Sequence, residues 1–199
     1  MKKVLIASNN LGKIREIGGI LAELDIVVVG QRELGVSDVE ETAVTFVENA
    51  LIKARHASAH SGLPALADDS GLEVDFLEGL PGVRSARFAG PGATDAANNK
   101  KLIESLKDAG SGPLTCRFRC VMVYLRHPED PSPLIGQGVW EGEIVRKPQG
   151  EGGFGYDPHF WVPQSRCTVA ELAEADKNRM SHRGAALRAL LQSLRERHA

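Results

Sequence analysis

A chain of 199 residues suffices for one domain, or one domain with two lobes, and is long enough to bury a proper core. Its 42% hydrophobic and 25% charged residues are those of an ordinary soluble globular protein. A formal net charge of −2 argues against a broad basic surface for nucleic acid, while leaving room for a few cations placed around one small anionic ligand.

The chain opens with an apolar run over residues 4–7 that reads as a buried strand. It stops at Ser8-Asn9-Asn10, too soon for the apolar core of a signal peptide. Turn chemistry follows to Lys13, and then Ile14, Ile17, Ile20, Leu21 and Leu24 recur at helical spacing. Residues 26–29 form a second strand candidate. Thr45 and Glu48 have the spacing of a capping box, opening a helix that places Val47, Ala50, Leu51 and Ala54 on one face and ends near Gly62. Residues 65–67 predict a brief strand ending at Asp68-Asp69-Ser70-Gly71, with a further strand over 72–74. Thr94 caps an expected helix running to about Ala109. Residues 114–125 alternate at first and then turn apolar on both faces, which predicts a long strand, and 135–145 its return. Residues 150–157 are glycine-rich, and Ser181 caps a last helix with Leu187, Leu190, Leu191 and Leu194 in a stripe. No stretch is long and apolar enough to span a bilayer. Cys116, Cys120 and Cys167 are odd in number and make no C-x-x-C pair, so reduced thiols in a cytoplasmic protein are expected. Strands and helices intermix, giving an α/β class with a mixed, twisted sheet, flanking helices and a cleft where polar loops converge.

Several polar segments carry candidate chemistry. Ser8-Asn9-Asn10-Leu11-Gly12-Lys13 joins a strand to a helix, where backbone N–H groups and the Lys13 ammonium suit a phosphate, although it is not a Walker A loop. Asp68-Asp69 offers adjacent hard oxygens of the kind Mg²⁺ takes together with substrate phosphates, the bland alternative being a solvated turn. Glu40-Glu41 is a second acidic pair, which taken alone is a solvent-facing one. In the glycine-rich segment Phe154 or Tyr156 can stack on a base and Asp157 can accept an N–H, unless the segment is simply a hairpin with packed aromatics. Lys177, His182 and Arg183 gather cations at the entry to the last helix, against its dipole.

Taken in order, the first loop, Thr45-Phe46-Val47-Glu48-Asn49-Ala50, Ala67-Asp68-Asp69-Ser70-Gly71-Leu72, Gly153-Phe154-Gly155-Tyr156-Asp157-Pro158 and Ser181-His182-Arg183-Gly184 resemble the inosine triphosphate pyrophosphatase family over nearly the whole chain. The resemblance implies an elongated mixed sheet forming two lobes around a central cleft, within a single domain over 1–199 and usually as a homodimer. It implies Mg²⁺-dependent hydrolysis of non-canonical purine nucleoside triphosphates (ITP, dITP, XTP) to monophosphate and pyrophosphate. By the same resemblance residues 8–13 cradle phosphates, Asp69 is the catalytic base and a metal ligand, and Ser70 contacts substrate. Asp68 is near enough to share these tasks, and Glu40 is the second metal ligand, with Glu41 its rival. Phe154, Gly155, Tyr156, Asp157, Lys177, His182 and Arg183 match the base-recognition positions. A 6-keto purine pairs an O6 acceptor with an N1–H donor. Arg183, His182 or backbone N–H groups are the expected O6 donors and Asp157 the N1–H acceptor. The first loop departs from the family in carrying Ser8-Asn9 where many relatives have Thr-Gly. Competing expectations are a pyrophosphatase for modified pyrimidine nucleotides and a nucleotide-binding module without turnover.

Overall fold

The computed structural model describes residues 2–9, 14, 17, 18, 21, 22 and 25–198. Its centre is a seven-stranded sheet, in which β1 (Lys2–Ile6), β2 (Ile26–Gly30), β3 (Ala65–Val74), β4 (Thr115–Leu125), β5 (Leu134–Ile144), β6 (Phe160–Val162) and β7 (Cys167–Thr168) lie in the order β2-β1-β3-β4-β5-β6-β7. β1 runs parallel to both β2 and β3, whereas β6 runs antiparallel to β5 and β7, so the sheet is mixed as expected.

Four α-helices accompany the sheet among the described elements: α1 (Phe46–Ser61), α2 (Asp95–Ser105), α3 (Glu174–Met180) and α4 (His182–His198). The expected helix after the first loop shows helical residues at Ile14, Ile17 and Gly18, and the rest of it falls mainly outside the described residues. α1 begins where the sequence places it, with Thr45 Oγ1 accepting the Glu48 N–H at 3.3 Å. It ends at Gly62, whose φ of 69° is the left-handed conformation that glycine adopts without steric cost. α4 starts after Ser181, whose Oγ accepts the Gly184 N–H at 3.1 Å.

Two compact units divide the chain, each with its own core. Residues 1–69, 120–137 and 186–199 form one, and 70–119 with 138–185 form the other. In the first, Val4 and Ile6 of β1 and Cys120 and Met122 of β4 pack with Leu187, Leu190 and Leu194 of α4. In the second, Leu72, Leu102, Phe118, Trp140 and Phe160 are buried together. Aromatic contacts there are close, with Phe118 and Phe160 ring centroids 4.4 Å apart.

One sequence expectation is corrected. β3 does not end at Asp68-Asp69 but continues through both to Val74. Those carboxylates are buried, at 4% and 6% exposure, and strand backbone persists because their surroundings supply charge partners. The two aspartates still lie beyond a carboxyl end, that of β1, because Ile6 is level with Leu66 and β3 runs on past the end of β1. β6 and β7 escaped the sequence reading because strands of three and two residues show no measurable alternation.

Candidate active site

In the first unit the chain turns away from the sheet after β1 and β2, and the surviving strand β3 presents its acidic residues there. A cavity of about 310 Å³ opens at this point, lined by Ser8, Asn9, Gln31, Ser37, Asp38, Glu41, Lys53, His56 and Asp68. Asp38 fastens two of its walls, accepting from Asn9 Nδ2 at 2.7 Å and from Gln31 Nε2 at 2.5 Å. Asn9, the departure from the family pattern, therefore ties the first loop to residues 37–41 by its side chain.

The charged centre is built around Lys53. Its ammonium donates to Glu41 Oε1 at 2.6 Å and to Asp69 Oδ1 at 3.1 Å, and the side chain is only 16% exposed. Asn49, one helical turn earlier on α1, donates to Asp69 Oδ2 at 3.4 Å. The same amide accepts the Ala43 N–H at 3.0 Å, which holds the acidic loop against the helix. Burial pushes the Asp69 carboxyl above its ordinary pKa. Lys53 pulls it down, and the Glu41 carboxylate raises it further. Burial alone would lower Lys53, but Asp69, Asp68 and Glu41 outweigh it and the net shift is upward. Lys53 is thus a cation at neutral pH, while Asp69 binds a proton more readily than a free aspartate does.

The second unit carries the glycine-rich loop. Asp157 is 4% exposed, and its Oδ2 accepts the Phe154 N–H at 2.9 Å and the Lys177 ammonium at 2.5 Å. Gly153 lies so close that a Cβ there would stand 2.1 Å from that oxygen, and its φ is 76°. Phe154 is 52% exposed, with Lys177 Nζ 4.5 Å and Arg183 Cζ 5.7 Å from its ring centre. Two cations beside an accessible ring make a place where a flat, polar ligand can stack and be hydrogen-bonded.

A match to the Ham1 family model extends over residues 4–193. The chain belongs to the Ham1 family. It is 54% identical, over 98% of its length and all of the relative's, to a protein named dITP/XTP pyrophosphatase from Thioalkalivibrio sulfidiphilus (strain HL-EbGR7). A protein of the same name from Escherichia coli (strain K12) is 52% identical over 98% of this chain and 99% of its own. Among solved structures, a HAM1 protein from Coxiella burnetii superposes with a TM-score of 0.94 at 49% identity, covering 98% of this chain and 100% of that one. The nucleoside-triphosphatase / dITP/XTP pyrophosphatase of Mycobacterium abscessus gives 0.79 at 41% identity, covering 95% and 98%. The resemblance read from the motifs is thereby borne out.

In this Ham1 chain the residues singled out from sequence fall into distinct places. Ser8 and Asn9 line the cavity, while Asn10, Leu11, Gly12 and Lys13 lie outside the described residues. Glu40 is exposed, and it is Glu41 that shares the Lys53 ammonium with Asp69. Ser70 follows Asp69 in β3 and is half-buried. Of the two loop aromatics only Phe154 is accessible. Tyr156 is 5% exposed, with its hydroxyl donating to the Ser85 carbonyl at 2.8 Å, so it builds the core and does not stack on a ligand. His182 lies against Phe118, ring centroids 4.9 Å apart, and Arg183 is equally buried, leaving its guanidinium near Phe154.

Lys53, Asn49 and Asp38 were missed from the sequence. A signal existed for the first two, since Asn49, Lys53 and His56 recur at i, i+4 and i+7 and form a polar stripe beside the apolar one. Asp38 had none, because its role depends on contacts with Asn9 and Gln31.

Mg²⁺ is the metal that the resemblance implies. Among the described residues no group of three or more His, Cys, Asp or Glu side chains is placed to cage a metal. Mg²⁺ ordinarily takes one or two carboxylates and completes its shell with water and phosphate oxygens. Glu41 and Asp69 supply hard oxygens around one point of positive charge, so the donor chemistry fits.

Proposed function

We propose that this protein hydrolyses deaminated purine nucleoside triphosphates, dITP, ITP and XTP, to monophosphate and pyrophosphate with Mg²⁺, and so keeps those bases out of DNA and RNA. The observation that carries the reading is the Glu41–Lys53–Asp69 cluster beside a polar cavity that Glu41, Lys53 and Asp68 line, in a family whose relatives are named dITP/XTP pyrophosphatases.

Lys53 offsets phosphate charge in a place where water screens little. Asp69 orients a water molecule and takes its proton as the water oxygen attacks the α-phosphorus. The bond from that phosphorus to the bridging oxygen breaks, and pyrophosphate leaves with the electron pair. The raised proton affinity of Asp69 improves it as a base over an ordinary aspartate. Glu41 and Asp69 would hold Mg²⁺, which neutralises phosphate charge and lowers the pKa of bound water. Asn49 keeps the Asp69 carboxylate in one orientation.

Phe154 serves as the stacking platform, and Lys177 and Arg183 as donors toward a keto oxygen at C6. Adenine presents an amino group there, which would face two cations without an acceptor, so it is rejected. Asp157 fixes Lys177 through Oδ2, and Oδ1 is assigned to the N1–H. We extend the reading to a cytoplasmic homodimer by family resemblance. Among the described residues no helix is long and apolar enough to cross a membrane.

The test is pyrophosphate release from dITP, XTP and ATP with and without Mg²⁺. Magnesium-dependent release from dITP and XTP that far exceeds release from ATP is expected. Equal release from ATP would sink the base assignment, and no release at all would leave a modified-pyrimidine enzyme or a non-catalytic binder.

A further inference from the structure

Gly155 sits between the accessible Phe154 and the buried Tyr156, at a φ of 60°. Both of its backbone polar groups are held by one face of α2, at positions i and i+4. Its N–H donates to Asp95 Oδ2 at 2.7 Å, and its carbonyl accepts from Asn99 Nδ2 at 2.8 Å. These residues lie 60 and 56 positions away along the chain.

An aspartate in the first turn of a helix has an ordinary explanation, its favourable interaction with the helix dipole. That explanation does not require the Gly155 contact, nor does it cover Asn99. Asn99 Oδ1 is buried without a hydrogen-bond partner among the described residues, an unfavourable state that leucine would avoid at this position. Turning the amide over would oppose two oxygens at Gly155, so the donor must face the loop. What the amide supplies in return is its hydrogen bond to the Gly155 carbonyl.

We propose that Asp95 and Asn99 form a two-point clip on Gly155 that fixes the Phe154 ring for base recognition, making them positioning residues for substrate selectivity. The proposal rests on the base-recognition role given above to the loop. Tyr156 is anchored by Ser85 and Asp157 by Lys177, so the clip restrains the backbone beside Phe154, the accessible aromatic of the loop. Losing it frees Phe154 to sample other orientations, which weakens binding of the base without touching the phosphates.

The experiment compares the full-length wild type with Asp95→Ala, Asp95→Asn and Asn99→Leu. It measures kcat and KM for dITP and ATP with Mg²⁺, and amide hydrogen exchange of the segment spanning residues 150–157. Asp95→Ala is expected to raise KM for dITP about tenfold, the scale of one charge-assisted hydrogen bond acting indirectly. Its kcat should stay within about threefold, its preference for dITP over ATP should narrow, and exchange of the segment should accelerate. Asp95→Asn should recover most of this, because an amide oxygen still accepts the Gly155 N–H. Unchanged KM and preference in folded Asp95→Ala overturn the proposal, even if exchange accelerates, since the clip is then only structural. Asp95→Asn as impaired as Asp95→Ala overturns it too. Should Asp95→Ala fail to fold, Asn99→Leu decides by the same measurements. A wild type inactive on dITP defeats the functional reading first and this proposal with it, an outcome distinct from an active wild type with indifferent variants.

Discussion

Replacing Lys53 with methionine keeps the length of the side chain and deletes its charge. Glu41 and Asp69 then lose the ammonium that now stands 2.6 and 3.1 Å from their oxygens. Removing one partner of a fully buried ion pair costs about 3–5 kcal/mol, whereas an exposed pair contributes about 0–1 kcal/mol. The three side chains are 16%, 23% and 8% exposed, so the loss should fall near the lower buried limit, about 2–3 kcal/mol. For a chain of this size that lowers Tm by about 4–12 °C. The deficit should depend on pH. Without Lys53 the Asp69 carboxyl gains still more proton affinity in the folded state. Stability from such a group is complete below its unfolded pKa and is lost as pH rises through the folded one. The gap to wild type should therefore be small near about pH 4 and full by about pH 7. Lys53 itself adds no slope there, because its raised pKa keeps it charged until above its ordinary value of 10.5. Adding Glu41→Gln should restore about 1 kcal/mol by removing one stranded charge. Calorimetric melts across pH measure all of this, and pyrophosphate release should fall about 100-fold or more. A variant that melts within about 1 °C of wild type at neutral pH, or whose deficit does not shrink in acid, would refute the reasoning.

Asp69→Asn should abolish most pyrophosphate release, by about 100- to 10,000-fold, without lowering Tm. The folded state disfavours the ionised carboxylate it removes, and Lys53 keeps Glu41; a clear loss of Tm would contradict this. Gly136→Ala should destabilise by about 1–3 kcal/mol in a thermal melt, because its Cβ would lie 2.3 Å from the Ala186 carbonyl oxygen and 2.8 Å from Leu190 Cβ on α4. Hydrogen bonds from the Arg126 side chain, with backbone donors from Arg126 and Ser132, hold the Asp130 carboxyl well below the ordinary carboxylate range. The stability it contributes is present above the ordinary pKa and disappears as pH falls through the folded one. Asp130→Asn should therefore flatten the acid limb in urea melts below about pH 4.

Local signals in the sequence were enough for the elements whose causes are local. Thr45 capping α1, Gly62 ending it and Ser181 opening α4 each follow from a few adjacent residues. The long strand at 115–125 was readable because its pattern extends over many positions. Several candidate site residues were readable too, since an acidic pair and a glycine-rich aromatic loop are unusual compositions.

Which of those residues do what was decided by contacts between distant segments. Glu41 and not Glu40 meets Asp69, because Asn49 holds the acidic loop at Ala43 and Lys53 reaches across from α1. Phe154 faces solvent while Tyr156 enters the core, a difference set by the Ser85 carbonyl and not by the composition of the loop. β3 carries two aspartates through its middle because buried charge partners elsewhere make strand backbone affordable there. Periodicity and capping act over a few residues and leave their mark in the sequence. Charge pairing and burial act through space, and only the folded chain brings Lys53, Glu41 and Asp69 to one point.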